Sequence, residues 1–387
     1  TPTGFTAQIA ESAQFEYMLI GVVSIIAATV LMYLFNRHLT KPLKSIIKRV
    51  DSYAGGDFAV GARSNAQGDA GEIERGLSEI GVSLAINEYE TKTVVKSYYR
   101  FVPRGVEKIF KRAGITEINS GDVVSSTDNL CVLSVENKEE IQNAKDDGGF
   151  MEFVNTCFSK VCESLTDSGG LLLSGDFDLS ALPVLFTGEL GAEAGVKFAL
   201  DLTGMTDSWS GRENTQPDFF VMLHNAKFLY GIAGTDEKAF PFLSSSEMNF
   251  LSSYSRQLCS LGARVVMTEK FYNALPENTP YSARFIGFVS SRNSRHCYKL
   301  YELLDCYTDA EKLLRKRYDE RFQKAITMFL KNDFYLARSE FSAILRSNPG
   351  DGAARWYIFA CEHFFNSSDL SKATYDLFGI DESLVNS

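Results

Sequence analysis

The chain has 387 residues, 45% of them hydrophobic, with 39 Lys and Arg against 49 Asp and Glu, a formal net charge of −10. That length supports two or three folded units with real cores, and the acidic balance excludes a general nucleic-acid binder, which needs surplus cations to neutralise phosphates. The seven cysteines (Cys131, Cys157, Cys162, Cys259, Cys297, Cys306, Cys361) are scattered without a CxxC pair, so they read as reduced core thiols and not as a disulfide frame or a zinc site.

The first predicted element is "FEYMLIGVVSIIAATVLMYLF" (15–35), apolar after Glu16 and about the 20 residues that a bilayer requires. Tyr17 and Tyr33 mark its two ends. The run is too long for a signal peptide, and no A-x-A cleavage site follows it. Arg37, Lys41, Lys44, Lys48 and Arg49 follow, whereas Glu11 and Glu16 precede. The positive-inside bias therefore places the chain after 36 in the cytoplasm, anchored in the cytoplasmic (inner) membrane by a single visible span. A chain that begins at Thr1 and not at Met is expected to have a region ahead of it, and residues 1–14 read as its extracytoplasmic end.

From Arg37 to about Glu90, two helical patterns flank the Gly- and Asp-rich connector "SYAGGDFAVGARSNAQGDAGE". Leu43, Ile46, Ile47 and Val50 share one face of the first; Ile73, Leu77, Ile80 and Leu84 share one face of the second, at coiled-coil seam spacing. With Pro42 near the membrane and "GEIERGLSEI" after the connector, the segment resembles a HAMP linker, a parallel four-helix module to which each of two chains gives half. A plain juxtamembrane coiled coil is the simpler alternative. Both imply a parallel dimer.

The next elements alternate. "LCVLSV" (130–135) reads as a buried strand, and "FMEFVNTCFSKVCESLTDSGG" (150–170) as a helix stopped at Gly169-Gly170. "LLLSGDFDLSALPVLF" reads as a hairpin turning at "GDFD", "AGVKFALDLTGMTDS" as a helix, and "FFVMLHNAKFLYGIAG" as a second hairpin. The stretch 244–275 supplies helix, strand and helix. The fold class is therefore α+β, with a ferredoxin-like antiparallel sheet and packed helices.

In this order, "YYRFVP", "INSGD", "FMEFVN…GG", "NAKFLYGIAG", "EMNFLSSYSRQLCSLGARVVMTEKFYNAL" and "FIGFVSSRNSRHCYKLYELL" are similar to the catalytic domain of class III adenylate/guanylate cyclases of the bacterial, HAMP-linked kind. The similarity spans roughly Val94 to Leu304. It implies a head-to-tail dimer with nucleotide sites at the interface, and two metal carboxylates that activate the ribose hydroxyl and neutralise the triphosphate. About twelve residues beyond Gly121-Asp122, the first carboxylate position holds Ser134. Its neighbour Val135 is no substitute, and Glu136, on the same strand face, is a remote one. The phosphate loop is replaced by the acidic "ENKEEIQNAKDDGG", which repels a triphosphate. For the second carboxylate, Asp176 fits by its Gly-Asp context and Asp178 by spacing from Gly169-Gly170. The base-reading positions hold Ser246 and either Ser174 or Leu172. Asn249 occupies the transition-state position, but the Arg one turn later is Ser253, with Arg256 displaced by three residues.

The implied reading is a degenerate cyclase homology domain, with Asn249 a remnant and no cofactor expected. The alternative is an active adenylate or guanylate cyclase (a phosphorus-oxygen lyase) using Mg²⁺ or Mn²⁺ with ATP or GTP. It would work through Glu136 and Asp176 or Asp178, alone or as a heterodimer with an active cyclase. Downstream, "YDERFQKAITMFLKNDFYLARSEFSAILRSNPGDGAARWYIFACEHFF" gives two helices joined at "KND" and a third after "NPGD". This resembles about one and a half tetratricopeptide-type repeats, too few for a groove of their own. Such a tail is expected to pack on the preceding domain or on a protein partner. The expected organisation is thus 1–14 extracytoplasmic end, 15–36 transmembrane helix, 37–93 HAMP and linker helix, 94–308 cyclase homology domain and 309–387 helical tail.

Overall fold

The computed structural model describes residues 3–58, 68–98, 105–172, 179–207, 216–235, 238–247, 258–259, 261–290 and 297–365. They form two compact units, Thr1–Arg100 and Phe101–Ser387.

In the first unit, α1 (Thr3–Phe35) contains one stretch long and apolar enough to cross a membrane. It passes through a π-helical turn (Asn36–Thr40) into α2 (Lys41–Ala54). The π-turn has a local cause. Pro42 has no N–H to donate back into the helix, and the Lys41 amide reaches instead to the Asn36 carbonyl, five residues back. After the connector, α3 (Asp69–Tyr98) returns alongside α2. Arg49 Nη1 donates to Ser78 Oγ at 2.9 Å, and the Tyr53 ring closes on Gly81, where an added Cβ would lie 2.1 Å from its hydroxyl. Partners advance together along both helices, so α2 and α3 run parallel. Arg49 and Glu74 are buried between them, whereas the apolar residues Leu43, Ile47, Val50, Ile73 and Ile80 stay about half exposed.

The second unit is built on an eight-stranded sheet. Two helices, α4 (Val106–Ile109) and α5 (Lys138–Ala144), are short, and α5 follows the long strand β1 (Val123–Val135). The helix α6 (Asp147–Ser168) ends at Gly169, left-handed at φ 74°. A hairpin of β2 (Leu171–Leu172) and β3 (Leu182–Phe186) leads to α7 (Gly191–Asp207) and then to β4 (Phe219–Gly234). These elements give the order β2-β3-β1-β4, antiparallel throughout, which is the ferredoxin-like arrangement read from the sequence. β5 (Ala239–Ser244) pairs with the far half of β4. Beyond β4 the sheet continues as β6 (Val265–Thr268), in parallel, then β8 (Cys297–Leu303) and β7 (Ala283–Ser290), with α8 (Glu269–Tyr272) after β6.

One expectation fails. "FFVMLHNAKFLYGIAG" is a single strand of 16 residues and not a hairpin. It pairs with all of β1, from Val123↔Gly231 to Val135↔Phe219. At its centre the Asn225 amide donates to Asn129 Oδ1 across the ladder at 2.9 Å, where a turn would have broken the pairing. The chain reverses only after Gly234, whose φ of 141° and tight approach to the Lys238 carbonyl suit glycine alone.

Alternation along the strands separates two cores. Cys131, Leu133, Val221 and Val265 pack with Phe153, Val161, Val196 and Phe271 under the helices. Leu130, Val132, Phe220, Met222 and Val266 face the other side, in one cluster that continues through Ile286 and Val289 into the C-terminal helices. Those helices are α9 (Asp309–Arg317), α10 (Asp319–Leu330), α11 (Phe334–Ser347) and α12 (Gly352–Phe365). The turns at "KND" and "NPGD" fall where the sequence put them, and the tail packs on the sheet. Phe341 stacks on Tyr357 at 4.7 Å, and the Tyr357 hydroxyl donates to the Ile286 carbonyl of β7 at 2.7 Å.

Candidate functional site

Ser134 is the last but one residue of β1 and lies on the strand face of Leu130 and Val132, where the first metal carboxylate was expected. It is 3% exposed, and its hydroxyl donates to the Ser180 carbonyl at 2.6 Å. The Lys138 ammonium donates to the Ser180 hydroxyl at 3.1 Å. The position is therefore neutral at Ser134, and a cation is bonded to the same Ser180. Those residues do not fit a pair of divalent cations, which need anionic oxygens and no ammonium nearby.

Downstream, the acidic loop contains α5 and then caps α6. Asp146 Oδ1 accepts from the Gly149 amide at 2.9 Å, so a carboxylate of the chain itself caps the N-terminus of α6.

Glu136 lies one residue beyond β1. Its amide donates to the Asp218 carbonyl at 2.8 Å, and Asn137 fastens the same corner, donating to the Gln216 carbonyl at 2.6 Å. Although the residue as a whole retains exposed surface, desolvation of the carboxyl, joined by repulsion from Asp218, pushes its pKa up to about 7. Burial also raises that of Asp218, against the pull of Arg264. Two carboxyls thus share one corner of the sheet. From the sequence Glu136 read only as a remote substitute and nothing pointed to Asp218, which only the β1–β4 pairing brings close.

On the same sheet face is a polar cluster that the sequence did not reveal. His224 of β4 is fully buried, with Nδ1 2.9 Å from Thr268 Oγ1 and Nε2 2.8 Å from Glu247 Oε2. Glu247 also accepts from the Tyr298 hydroxyl at 2.6 Å and from Lys270 Nζ at 2.7 Å. Burial opposes the charge of Glu247, but the bonds from His224, Lys270 and Tyr298 prevail and hold its pKa at about 2. Desolvation holds the imidazole of His224 below its ordinary value against the pull of Glu247. A histidine within a strand and a glutamate next to Ser246 were the available signals, but the hairpin reading of β4 separated them.

Of the residues expected at the site, Ser246 lies in the turn after β5 and is exposed. Glu247 beside it has both carboxylate oxygens committed to protein donors. Leu172 is in β2 and packs on the helical side of the sheet. Ser174, Asp176, Asp178, Asn249, Ser253 and Arg256 lie outside the described residues.

No family model matches the chain, and no curated protein matches it. Solved structures do resemble it. A bacterial light-regulated adenylyl cyclase aligns over 61% of this chain and 67% of its own, at 12% identity and a TM-score of 0.49. The adenylyl cyclase CyaB from P. aeruginosa aligns over 47% and 95%, at 13% identity and a TM-score of 0.41. The guanylate cyclase domain of RhGC from Catenaria anguillulae, solved in complex with GTP, aligns over 46% and 97%, at 11% identity and a TM-score of 0.38.

Proposed function

We propose that the chain is a membrane-anchored signal transducer whose class III cyclase homology domain does not cyclise nucleotides, and acts through dimerisation or partner docking. The observation that carries this reading is the surroundings of Ser134: its hydroxyl is spent on the Ser180 carbonyl, and the hydroxyl of the same Ser180 takes the Lys138 ammonium, so a neutral group and a cation stand where the resemblance asks for a metal carboxylate. Asp146 on the α6 N-terminus and the saturated Glu247 support it from two further sides.

The parallel course of α2 and α3, with their apolar seams exposed in the single chain, supports the HAMP reading and a parallel dimer. In this scheme a signal arriving through α1 shifts the seam, and the cyclase-like domains change their contact. The order of α10, α11 and α12 around "KND" and "NPGD" supports a tetratricopeptide-like tail, which we assign as an integral part of the second unit and a docking surface for a protein partner.

The paired carboxyls of Glu136 and Asp218 favour one other reading, an active cyclase with displaced ligands, in which Asp176 or Asp178 completes the metal set. Titration of the reconstituted full chain with ATP or GTP and Mn²⁺, following both binding and cyclic product, separates the two. No product is expected. Product that disappears in Asp176→Ala or Asp178→Ala would overturn the proposal, and product on mixing that exceeds what an active cyclase makes alone would assign the chain to a heterodimer. Binding without turnover would instead describe a nucleotide-sensing pseudoenzyme.

A further inference from the structure

The strongest unassigned surface lies on α2. At about 3.6 residues per turn, Lys41, Lys44 and Lys48 fall within roughly 60° of one another, on the side away from Leu43, Ile46, Ile47 and Val50. Arg37, in the π-turn, is one turn nearer the membrane. All four are exposed, and none forms an ion pair among the described residues. Arg49 differs: it is buried, and its guanidinium is spent on Ser78. The helix thus separates one structural cation from four free ones and keeps the free ones opposite the seam.

Continuity with α1 fixes their depth. Helix runs without a break from Phe15 to Ala54, so at about 1.5 Å per residue Arg37, Lys41, Lys44 and Lys48 lie roughly 3, 9, 14 and 20 Å beyond Phe35 along the axis. The headgroup layer is roughly 5–8 Å thick on each side of the hydrocarbon. Long cationic side chains reach back towards the interface, and the negative surface potential fades over about a Debye length.

We propose that this stripe binds the anionic lipid headgroups of the bilayer that α1 spans, so that membrane charge biases the rotation of α2 and with it the face its seam presents. The proposal rests on the membrane-anchored reading of α1. Arg37 and Lys41 carry most of the attraction, and Lys44 and Lys48 a declining share.

The test reconstitutes the full chain in bilayers of phosphatidylcholine with phosphatidylglycerol and counts the lipids retained by native mass spectrometry. The wild-type chain should retain phosphatidylglycerol above its bulk proportion. Arg37→Gln and Lys41→Gln should each lower that enrichment about three- to fivefold, with smaller losses for Lys44→Gln and Lys48→Gln. Lys331→Gln and Arg346→Gln, exposed cations of the tail, should change nothing. Retention at the bulk ratio, or equal losses in the tail variants, would overturn the proposal. Alkaline extraction of the same vesicles checks the anchor separately. A chain that is released contradicts the membrane-spanning reading itself, whereas one that stays but shows no lipid preference contradicts the lipid proposal alone.

Discussion

Two glutamates on one sheet face have opposite linkage to pH. The carboxyl of Glu247 is held at about 2 against an ordinary 4.5. Its charge therefore contributes stability that is fully present above 4.5 and lost as pH falls from there towards 2. Glu136 is pushed up to about 7, so between 4.5 and 7 the native state holds a proton that the unfolded chain releases. Stability from this residue is complete below 4.5 and declines as pH rises through 7. Urea midpoints at pH 4.5, 5.5 and 7 should show Glu136→Gln gaining on the wild type as pH rises. A constant difference would mean that the carboxyl is not desolvated in solution. Glu247→Gln leaves His224, Tyr298 and Lys270 with a weaker acceptor and should cost about 2 kcal/mol, read as a lower Tm at neutral pH. Neither effect was legible in the sequence, because both depend on partners 23 to 82 positions away along the chain. What could be read was substitution: Ser134 stood where a carboxylate was expected, and the structure supplies its surroundings, namely the bond to Ser180 and, through Ser180, Lys138.

At the scale of elements, the tail is held by a buried charge cluster. Arg284 of β7 donates to Glu302 of β8 at 2.9 Å through Nε, and to Asp351, just ahead of α12, at 2.7 and 3.0 Å. Phe322 of α10 lies 4.3 Å below its guanidinium, and Arg315 of α9 lies 3.5 Å over the Tyr307 ring. Two arginines and two carboxylates cancel, so the cluster is neutral as a set but not in parts. Asp351→Ala should therefore cost about 3–5 kcal/mol by leaving two buried guanidiniums to share one carboxylate, Glu302, and should open α12 to limited proteolysis before the sheet. Uniform cleavage of the whole chain would show that tail and sheet melt as one. The sequence made the tail's helices legible, since Ala325 and Phe329, and then Ala337, Phe341 and Ile344, fall at helical spacing and "NPGD" stops a helix. It hid the clamp, because Asp351 read only as part of the "NPGD" turn and nothing in the sequence pointed to Arg284, 67 positions earlier. The hairpin expectation for β4 failed for a related reason. Its apolar pattern matches any buried strand, and only the length of β1 decides that the two pair over their whole extent.

At the scale of the molecule, the first unit leaves the apolar seam residues of α2 and α3 exposed in a single chain, which is the surface that the proposed dimer would bury. Leu43 is 59% exposed, Ile47 53% and Ile80 54%, although all three occupy seam positions of parallel helices. Burying one such side chain is worth about 1.5–3 kcal/mol, and a two-fold assembly buries two copies of each. In Ile47→Asp those copies become paired like charges in the seam. The expected loss is at least about 3 kcal/mol per dimer, or roughly 100-fold in Kd. Light scattering of the full chain in detergent should thus find a dimer for the wild type and a concentration-dependent mixture for Ile47→Asp. Leu31→Ala, on the span and away from the seam, should leave the dimer unchanged. If the seam variant stays dimeric, the association must lie in the second unit, where the exposed Phe240 and Phe242 of β5 become the surfaces to mutate next. If instead Ile47→Asp separates the chains, the α2–α3 seam is the contact through which the proposed non-catalytic transducer would act, since without catalysis such a protein would have only the geometry of its dimer to transmit.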